Sequence, residues 1–465
     1  MKTINTLLNE LNLHIRSLNI EGSVTYEHED TRLVRCGRNQ ISVNTKQIGG
    51  SLVIELLNHK KSLTRKFSGL SFEVLMLKNE ILEMSEILPL MPQIDYAKKL
   101  DNHSKSEGTI DLKDNKMVED RSLDMVLFFK SVIDFFDNKY PNHGLELSGA
   151  FSLGSYGYNY IDVTMENAIS HESSDFSIEV VLQMTTEENK ELRSSQTGED
   201  WSHFMPKVLI DHLMFLYTTK LQTERINIPP GKYNIIFSND AMAELAVHMG
   251  YIALNGESLL NKSGMLDEQR HPIGAQIFSP KFTLSDNPTD PEVINKRTLT
   301  RTGLTRRAFP LFVNGVLKNI FFSDKSTCDK FNRKVNNHFN SANLKVHAGS
   351  GPSNWGEVLK SITEPTIYVS YIHYINFTNP TKGEFTGTSR FGTFLIENGE
   401  VKSHLHNLRI NDNFFNIFNN IDWLSKNLGH TCLASSYGLR WPFSCTSPLY
   451  SKIDGVNISG TSFQE

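Results

Sequence analysis

The chain is expected to fold as an α+β protein, with a mixed α/β N-terminal domain over residues 1–225 and a largely antiparallel β C-terminal domain over residues 226–465. Three observations predict this. At 465 residues the chain is long for a single hydrophobic core. Amphipathic helix patterns alternate with short strand-like runs up to about residue 225, whereas after Pro229 helices become rare and strand patterns dominate. Two Asn-Gly pairs, Asn314–Gly315 and Asn398–Gly399, each sit between alternating runs, which is a strong short-range hairpin signal.

Taken in order, residues 4–18 read as an amphipathic helix, with Leu7, Leu8, Leu11 and Leu13 among polar residues. Lacking an uninterrupted apolar stretch and a small-residue cleavage site, this segment is not expected to be a secretory signal. Strand-like runs follow at 23–28, 31–36, 40–44 and 51–57, supported by alternation such as Val24/Tyr26. A helix is predicted over about 70–85. The stretch 95–120 is polar and nearly devoid of large apolar residues, as expected of a surface excursion or a connection between subdomains. A strongly amphipathic helix over 122–139 comes next, then two or three strands within 145–184, and a helix over 204–224 interrupted near its start by Pro206. In the second half, strands are expected at 309–322, 367–377, 393–396 and 400–409.

Composition narrows the function. Apolar residues make up 39% of the chain and charged residues 21%, ordinary values for a globular protein. The formal charge of −5 gives no electrostatic reason to expect nucleic-acid or membrane-surface binding. The basic run over 301–307 is short and reads as a solvated face. No segment approaches 18 consecutive apolar residues, so a membrane-spanning helix is not expected. Cys36, Cys328, Cys432 and Cys445 are scattered without a Cys-x-x-Cys pair, the usage of a reducing compartment, so the cytoplasm is the expected location.

The most informative segment runs from Pro229 to Gly256. A Pro-Pro-Gly-Lys turn leads into a short apolar strand, and Asn239–Asp240 opens a helical pattern carrying Glu244 and His248. Glu and His at i and i+4 share one helix face and can share a metal or a proton. A zinc helix of the His-Glu…His kind needs a histidine just before the glutamate, and here that position is Ala243. By spacing alone, Glu244 and His248 fit an exposed carboxylate and a hydrogen-bonded histidine, because a catalytic zinc takes three protein ligands. Cys432 and Cys445 are thiols that could bind zinc, or small buried hydrophobes. His203, His212, His404 and His406 read as structural or exposed. Gly383 and Gly387 around Phe385 suggest a sterically tight strand entry, and Glu397 and Glu400 flank a solvated hairpin tip. No Gly-x-Gly-x-x-Gly, phosphate-loop or Gly-x-Ser-x-Gly pattern supports nucleotide binding or serine-hydrolase chemistry.

Together, PPGKYNIIFSND, RTGLTRRAFPLFVNGVLKNIFFS, GEFTGTSRFGTFLIENGEVKSHLHNLRINDNFFNIFNNI and SPLYSKIDGVNISGT resemble the TldD/PmbA (TldE) family. The resemblance covers most of the chain and is strongest from residue 226 onward. The family is described as modulators of DNA gyrase and as peptidases that mature peptide antibiotics. Its TldD branch carries a His-Glu-x-x-x-His helix and a distal Cys that bind zinc. That motif falls on residues 243–248, with Ala243 in place of the first histidine, Glu244 and His248 retained, and the distal cysteine near Cys432; Cys445 resembles a cysteine of PmbA-like tails. The pattern is closer to the PmbA/TldE branch, which implies a metal-free subunit that pairs with a TldD-like homologous subunit to process unfolded peptides. No cofactor is then expected. Two alternatives stand beside it: a zinc metallopeptidase in its own right, with Glu244 as base and His248 and Cys432 as ligands, and a non-proteolytic peptide-binding or regulatory protein.

Overall fold

The computed structural model describes residues 4–94, 100, 108–185, 191–300, 303–322, 328–329, 331–334, 336, 343–433, 440 and 443–461. Of the polar stretch 95–120, residues 95–99 and 101–107 lie outside the described residues, as do residues 301–302 of the basic run.

The chain begins with α1 (Ile4–Ser17), β1 (Glu21–Gly37), β2 (Gln40–Asn58), β3 (Lys61–Ser68), α2 (Val74–Ile87), β4 (Thr109–Leu112), α3 (Asn115–Val118) and α4 (Ser122–Lys139). It continues through β5 (Leu145–Asp162), β6 (Ile169–Met184), β7 (Glu191–Gly198), α5 (Pro206–Gln222), β8 (Glu224–Ile226), β9 (Gly231–Ser238), α6 (Asn239–Ala253) and α7 (Gly256–Leu260). Next come β10 (Leu284–Asp286), β11 (Phe309–Val313), β12 (Val316–Leu317), β13 (Asn343–Val346), α8 (Trp355–Ser361), β14 (Thr366–Asn379) and β15 (Glu384–Glu397). The last elements are β16 (Glu400–Leu405), β17 (Leu408–Asn413), α9 (Phe414–Asn419), β18 (Ile421–Leu424), β19 (Leu428–Cys432), β20 (Ser444–Pro448) and β21 (Tyr450–Thr461).

These strands form three sheets, mostly antiparallel, and the fold is α+β. The first runs β3-β2-β1-β5-β6-β4, with β7 also on β6; the second runs β12-β11-β10-β13-β20-β19; the third runs β14-β9-β21-β17-β15-β16-β8, with β18 on β21. Helix α4 buries Met125, Phe128, Phe129, Val132 and Phe136, a three- and four-residue spacing that lays one apolar face on the first sheet. One core cluster combines residues of α4, β5 and β6 with Leu213 and Tyr217 of α5, and with Ile236, Val358, Tyr368 and Phe394 from the second half.

Two local expectations change. The four predicted runs of the first sheet merge into two long strands, because Glu29–Asp30 and Gly49–Gly50 lie inside ladders rather than in turns. Glycine is needed at position 50, where a Cβ would come 2.6 Å from the Gly69 carbonyl oxygen and 2.7 Å from the Tyr26 hydroxyl. Pro206 does not interrupt α5 but begins it, at a position whose missing N–H has no helical partner to lose.

Candidate functional site

Central strand β9 runs directly into α6. The Ser238 side chain caps the helix by accepting from the Ala241 N–H at 3.2 Å, and Asp240 adds a negative charge to the first turn. Almost every other face is packed: Ala241, Met242, Ala243, Leu245, Ala246, Val247 and Met249 are buried. What remains is a polar stripe of Asp240, Glu244 and His248 at four-residue steps, one helical turn apart.

Each member of the stripe is held from a different element. Asp240 accepts hydrogen bonds from Arg193 Nη1 at 2.5 Å and Ser195 Oγ at 2.9 Å, both on β7. It also accepts from Thr431 Oγ1 on β19 at 2.7 Å and from Asn239 Nδ2 at 3.1 Å. Arg193 places its Nε 2.9 Å from Glu179 and stacks its guanidinium on the Tyr371 ring, 4.6 Å from the centroid. The Tyr371 hydroxyl donates to Glu244 at 2.8 Å. Burial pushes the Glu244 carboxyl above the usual carboxylate range, against the opposing pulls of Tyr371 and His248. His248 lies with Nδ1 2.8 Å from the Glu244 carbonyl oxygen. A carbonyl only accepts, so Nδ1 is the donor in this contact.

The structure brings Glu244 and His248 together, with Nδ1 3.4 Å from Oε2. It does not bring Cys432 to them in the same way. On the β19–β20 ladder Cys432 lies opposite Ser444 and Thr431 opposite Cys445. Thr431 bonds to Asp240, and Cys445 packs in the core around α6. Adjacent strand residues point to opposite faces, so Cys432 faces away from the helix. Cys445 is fully buried, and burial together with Glu244 pushes its thiol up to about 12. Among the described residues no three His, Cys, Asp or Glu side chains converge as a metal would require. Glu244 and His248 alone fall short of the three protein ligands of a catalytic zinc.

Beside the N-terminus of α6 opens a cavity of about 700 Å³. Ser194, Ser195, Gln196 and Thr197 of β7, Leu428, Gly429 and His430 of β19, and His212, Met205 and Val208 on and beside α5 line it, with Asp240, Ser370 and Tyr450. Glu244 and His248 do not line it; Asp240 and Arg193 connect the two places. Burial holds the His212 and His430 imidazoles below the usual histidine range. Arg193, Ser195, Tyr371 and Thr431 were not legible as site residues, since each meets α6 across more than 40 positions and none belongs to a motif.

The second half thus presents a buried helix that follows β9 and carries a Glu/His stripe. Residues 230–460 match the model of the PmbA/TldA metallopeptidase C-terminal domain. By that match the second half of the chain carries the C-terminal domain of the PmbA/TldD family. No curated protein matches it by sequence. Among solved structures it is similar to TldE from Thermococcus kodakarensis, with a TM-score of 0.80 and 16% identity over 98% of this chain and 100% of the other. A protein described as a candidate modulator of DNA gyrase from Bacteroides thetaiotaomicron gives 0.79 and 17% over 99% of each chain. Another of that description, from Thermotoga maritima, gives 0.74 and 13% over 98% and 100%. At these identities the structural likenesses speak for the fold. No helix among the described residues is long and apolar enough to cross a membrane.

Proposed function

We propose that this chain is a metal-free subunit that pairs with a TldD-like zinc metallopeptidase and helps hold unfolded peptides for processing. The observation that carries the reading is the chemistry of the α6 stripe. Ala243 offers no lone pair and is packed into the core, Glu244 is engaged by Tyr371, and Cys432 sits on the far face of its sheet. The positive charge near the carboxylates comes from Arg193, a residue of the first sheet. A carboxylate recruited as a ligand could not also serve as general base for a metal-bound water, so the residues present do not support independent hydrolysis. Peptide handling is supported by the cavity beside α6, where strand edges can bind a main chain without demanding a sequence.

Metal analysis of the purified full chain tests this reading. Substoichiometric zinc and no peptide cleavage alone are expected, with cleavage appearing when a homologous chain bearing an intact His-Glu-x-x-x-His helix is added. One tightly held zinc per chain together with unaided cleavage abolished by Glu244→Gln would overturn it.

A further inference from the structure

The third sheet closes on itself. Its strands follow one another as β14-β9-β21-β17-β15, and β15 pairs again with β14, so five strands form a ring. A second cavity, of about 390 Å³, takes lining residues from every strand of that ring: Lys232 of β9, Thr378 of β14, Glu384 of β15, Asn411 and Asp412 of β17, and Asn457 of β21. It opens where β17 and β21 part. Their ladder covers Leu408, Arg409 and Ile410 of β17. Beyond it, side chains replace the backbone rungs. Asn457 donates from Nδ2 to the Asn411 carbonyl at 2.7 Å and from its backbone N–H to Asp412 Oδ2 at 2.8 Å, and Asn416 of α9 bridges Asp412 and the Gly455 carbonyl. Lys232 lies near the start of β9 and α6 begins beyond its other end, about 20 Å away at the rise of a strand, so this cavity is separate from the Glu/His stripe.

We propose that this cavity binds a free, small polar amino acid as its zwitterion, with the carboxylate at Lys232 and the ammonium at Glu384. Cavities of closed strand rings are recurrent ligand sites, and this volume is at the small end of their range, which suits a single metabolite rather than a polymer. The site is independent of peptide handling in the cavity beside α6.

Both charges are available to a ligand. Among the described residues the side chains of Lys232 and Glu384 take part in no hydrogen bond or ion pair. Lys232 stands opposite Asn457 and Glu384 opposite Asn413, so the two lie on either side of β21 and β17. Between them are the amides of Asn411 and Asn457. Their nitrogens donate to Ser459 Oγ and to the Asn411 carbonyl, which leaves the side-chain oxygens to accept from an ammonium or a hydroxyl. Burial raises the Asp412 carboxyl above the usual carboxylate range, against the pulls of Asn457, Asn413, Asn416 and Lys232. An ammonium in the cavity would favour its ionised form. Other ligand classes match less well. A divalent cation would meet Lys232, an anion would meet Glu384 and Asp412, and an uncharged sugar would draw nothing from either free charge. Phe385, the apolar residue of the lining, is 1% exposed and offers no face to a hydrophobic side chain, which favours a polar amino acid.

Isothermal titration calorimetry of the full chain tests this with L-serine, with N-acetyl-L-serine, which lacks the ammonium, and with L-serinamide, which lacks the carboxylate. L-serine is expected to bind at least about tenfold more tightly than either, the worth of one charge-assisted hydrogen bond. Lys232→Met is expected to abolish the preference over L-serinamide and to keep that over N-acetyl-L-serine, and Glu384→Gln to do the reverse. Neither side chain has a partner to lose, so both variants are expected to keep the urea midpoint of the parent. No binding of L-serine at millimolar concentration, equal binding of the three ligands, or a preference that survives its own variant would overturn the proposal. Tighter binding of calcium chloride than of L-serine would overturn it as well.

Discussion

At residue 243 a buried methyl group precedes Glu244, and the polar stripe beside it is held by residues from other elements. Arg193 brings a full positive charge from β7 to Asp240 and lies over Tyr371, whose hydroxyl holds Glu244. A guanidinium fixed by two carboxylates supplies Asp240 with a counter-charge, and its planar fork suits that task better than an ammonium group. Removing it leaves Asp240 with neutral donors only, in a site where its side chain is 15% exposed. Arg193→Met is therefore expected to destabilise the fold by about 3 kcal/mol, the lower end of the range for breaking a buried pair. Urea denaturation at pH 7 measures this. The double variant Arg193→Met/Asp240→Asn should recover part of the loss, since the abandoned charge is then gone; strict additivity of the two single effects would contradict the coupling.

At the scale of elements, the strand β6 carries a second charge arrangement with a pH signature. His171 packs with Nδ1 3.0 Å from Thr298 Oγ1, while its buried Nε2 has no hydrogen-bond partner among the described residues. Burial and the nearby Arg297 lower its pKa to about 3, from an ordinary value of 6.5. The folded state thus keeps this imidazole neutral where the unfolded chain would protonate it. Its contribution is intact above pH 6.5 and is lost as pH falls from there toward 3, by up to about 1.4 kcal/mol per unit. The His171→Gln variant is expected to lose less stability than the parent between pH 7 and 4.5, measured as the shift of the urea midpoint; parallel acid limbs would rule this out. Such long-range partners explain what was legible in sequence. Periodicity alone locates α4, and the Asn-Gly pairs locate the turns between β11 and β12 and between β15 and β16. Periodicity failed for β1 and β2, where Glu29 and Asp30 read as a turn but lie within the ladder. Glu29 is tolerated there because its carboxylate accepts from Thr31, Gln47 and the Arg440 backbone, the last 411 positions away. At the candidate site, the helix and its Glu/His stripe were visible because they are local. The facing direction of Cys432, and the side chains of Arg193 and Tyr371 that complete the stripe, depend on three sheets meeting.

Over the whole molecule, Arg440 is one of the residues that fasten that meeting. Arg440 inserts its guanidinium against the first sheet, donating to Asp175 from Nε at 2.6 Å and Nη2 at 2.7 Å, and to Ser152 Oγ from Nη1 at 2.8 Å. Its own N–H donates to Glu29 Oε2 at 2.6 Å, so one residue contacts β1, β5 and β6 at once. The contact is buried, with the Asp175 side chain 3% exposed, and bidentate geometry gives it direction as well as strength. It joins the segment between β19 and β20 to the sheet that carries β7, and β7 and β19 are the two walls of the cleft beside α6. Loss of the guanidinium would leave Asp175 buried without its counter-charge, at a cost of about 3–5 kcal/mol. It would also remove one tie between the two walls, leaving the one in which Arg193, Ser195 and Thr431 share Asp240. Arg440→Ala is accordingly expected to lower the unfolding temperature and to raise amide exchange in β19 and β20 more than in β9 or β21, which are held by their own sheet. Arg440→Lys should fall between, because an ammonium keeps the charge but not the two-pronged geometry. Hydrogen exchange followed by mass spectrometry separates the outcomes: a uniform rise in exchange over all three sheets would mean that Arg440 contributes stability alone and does not fasten the wall.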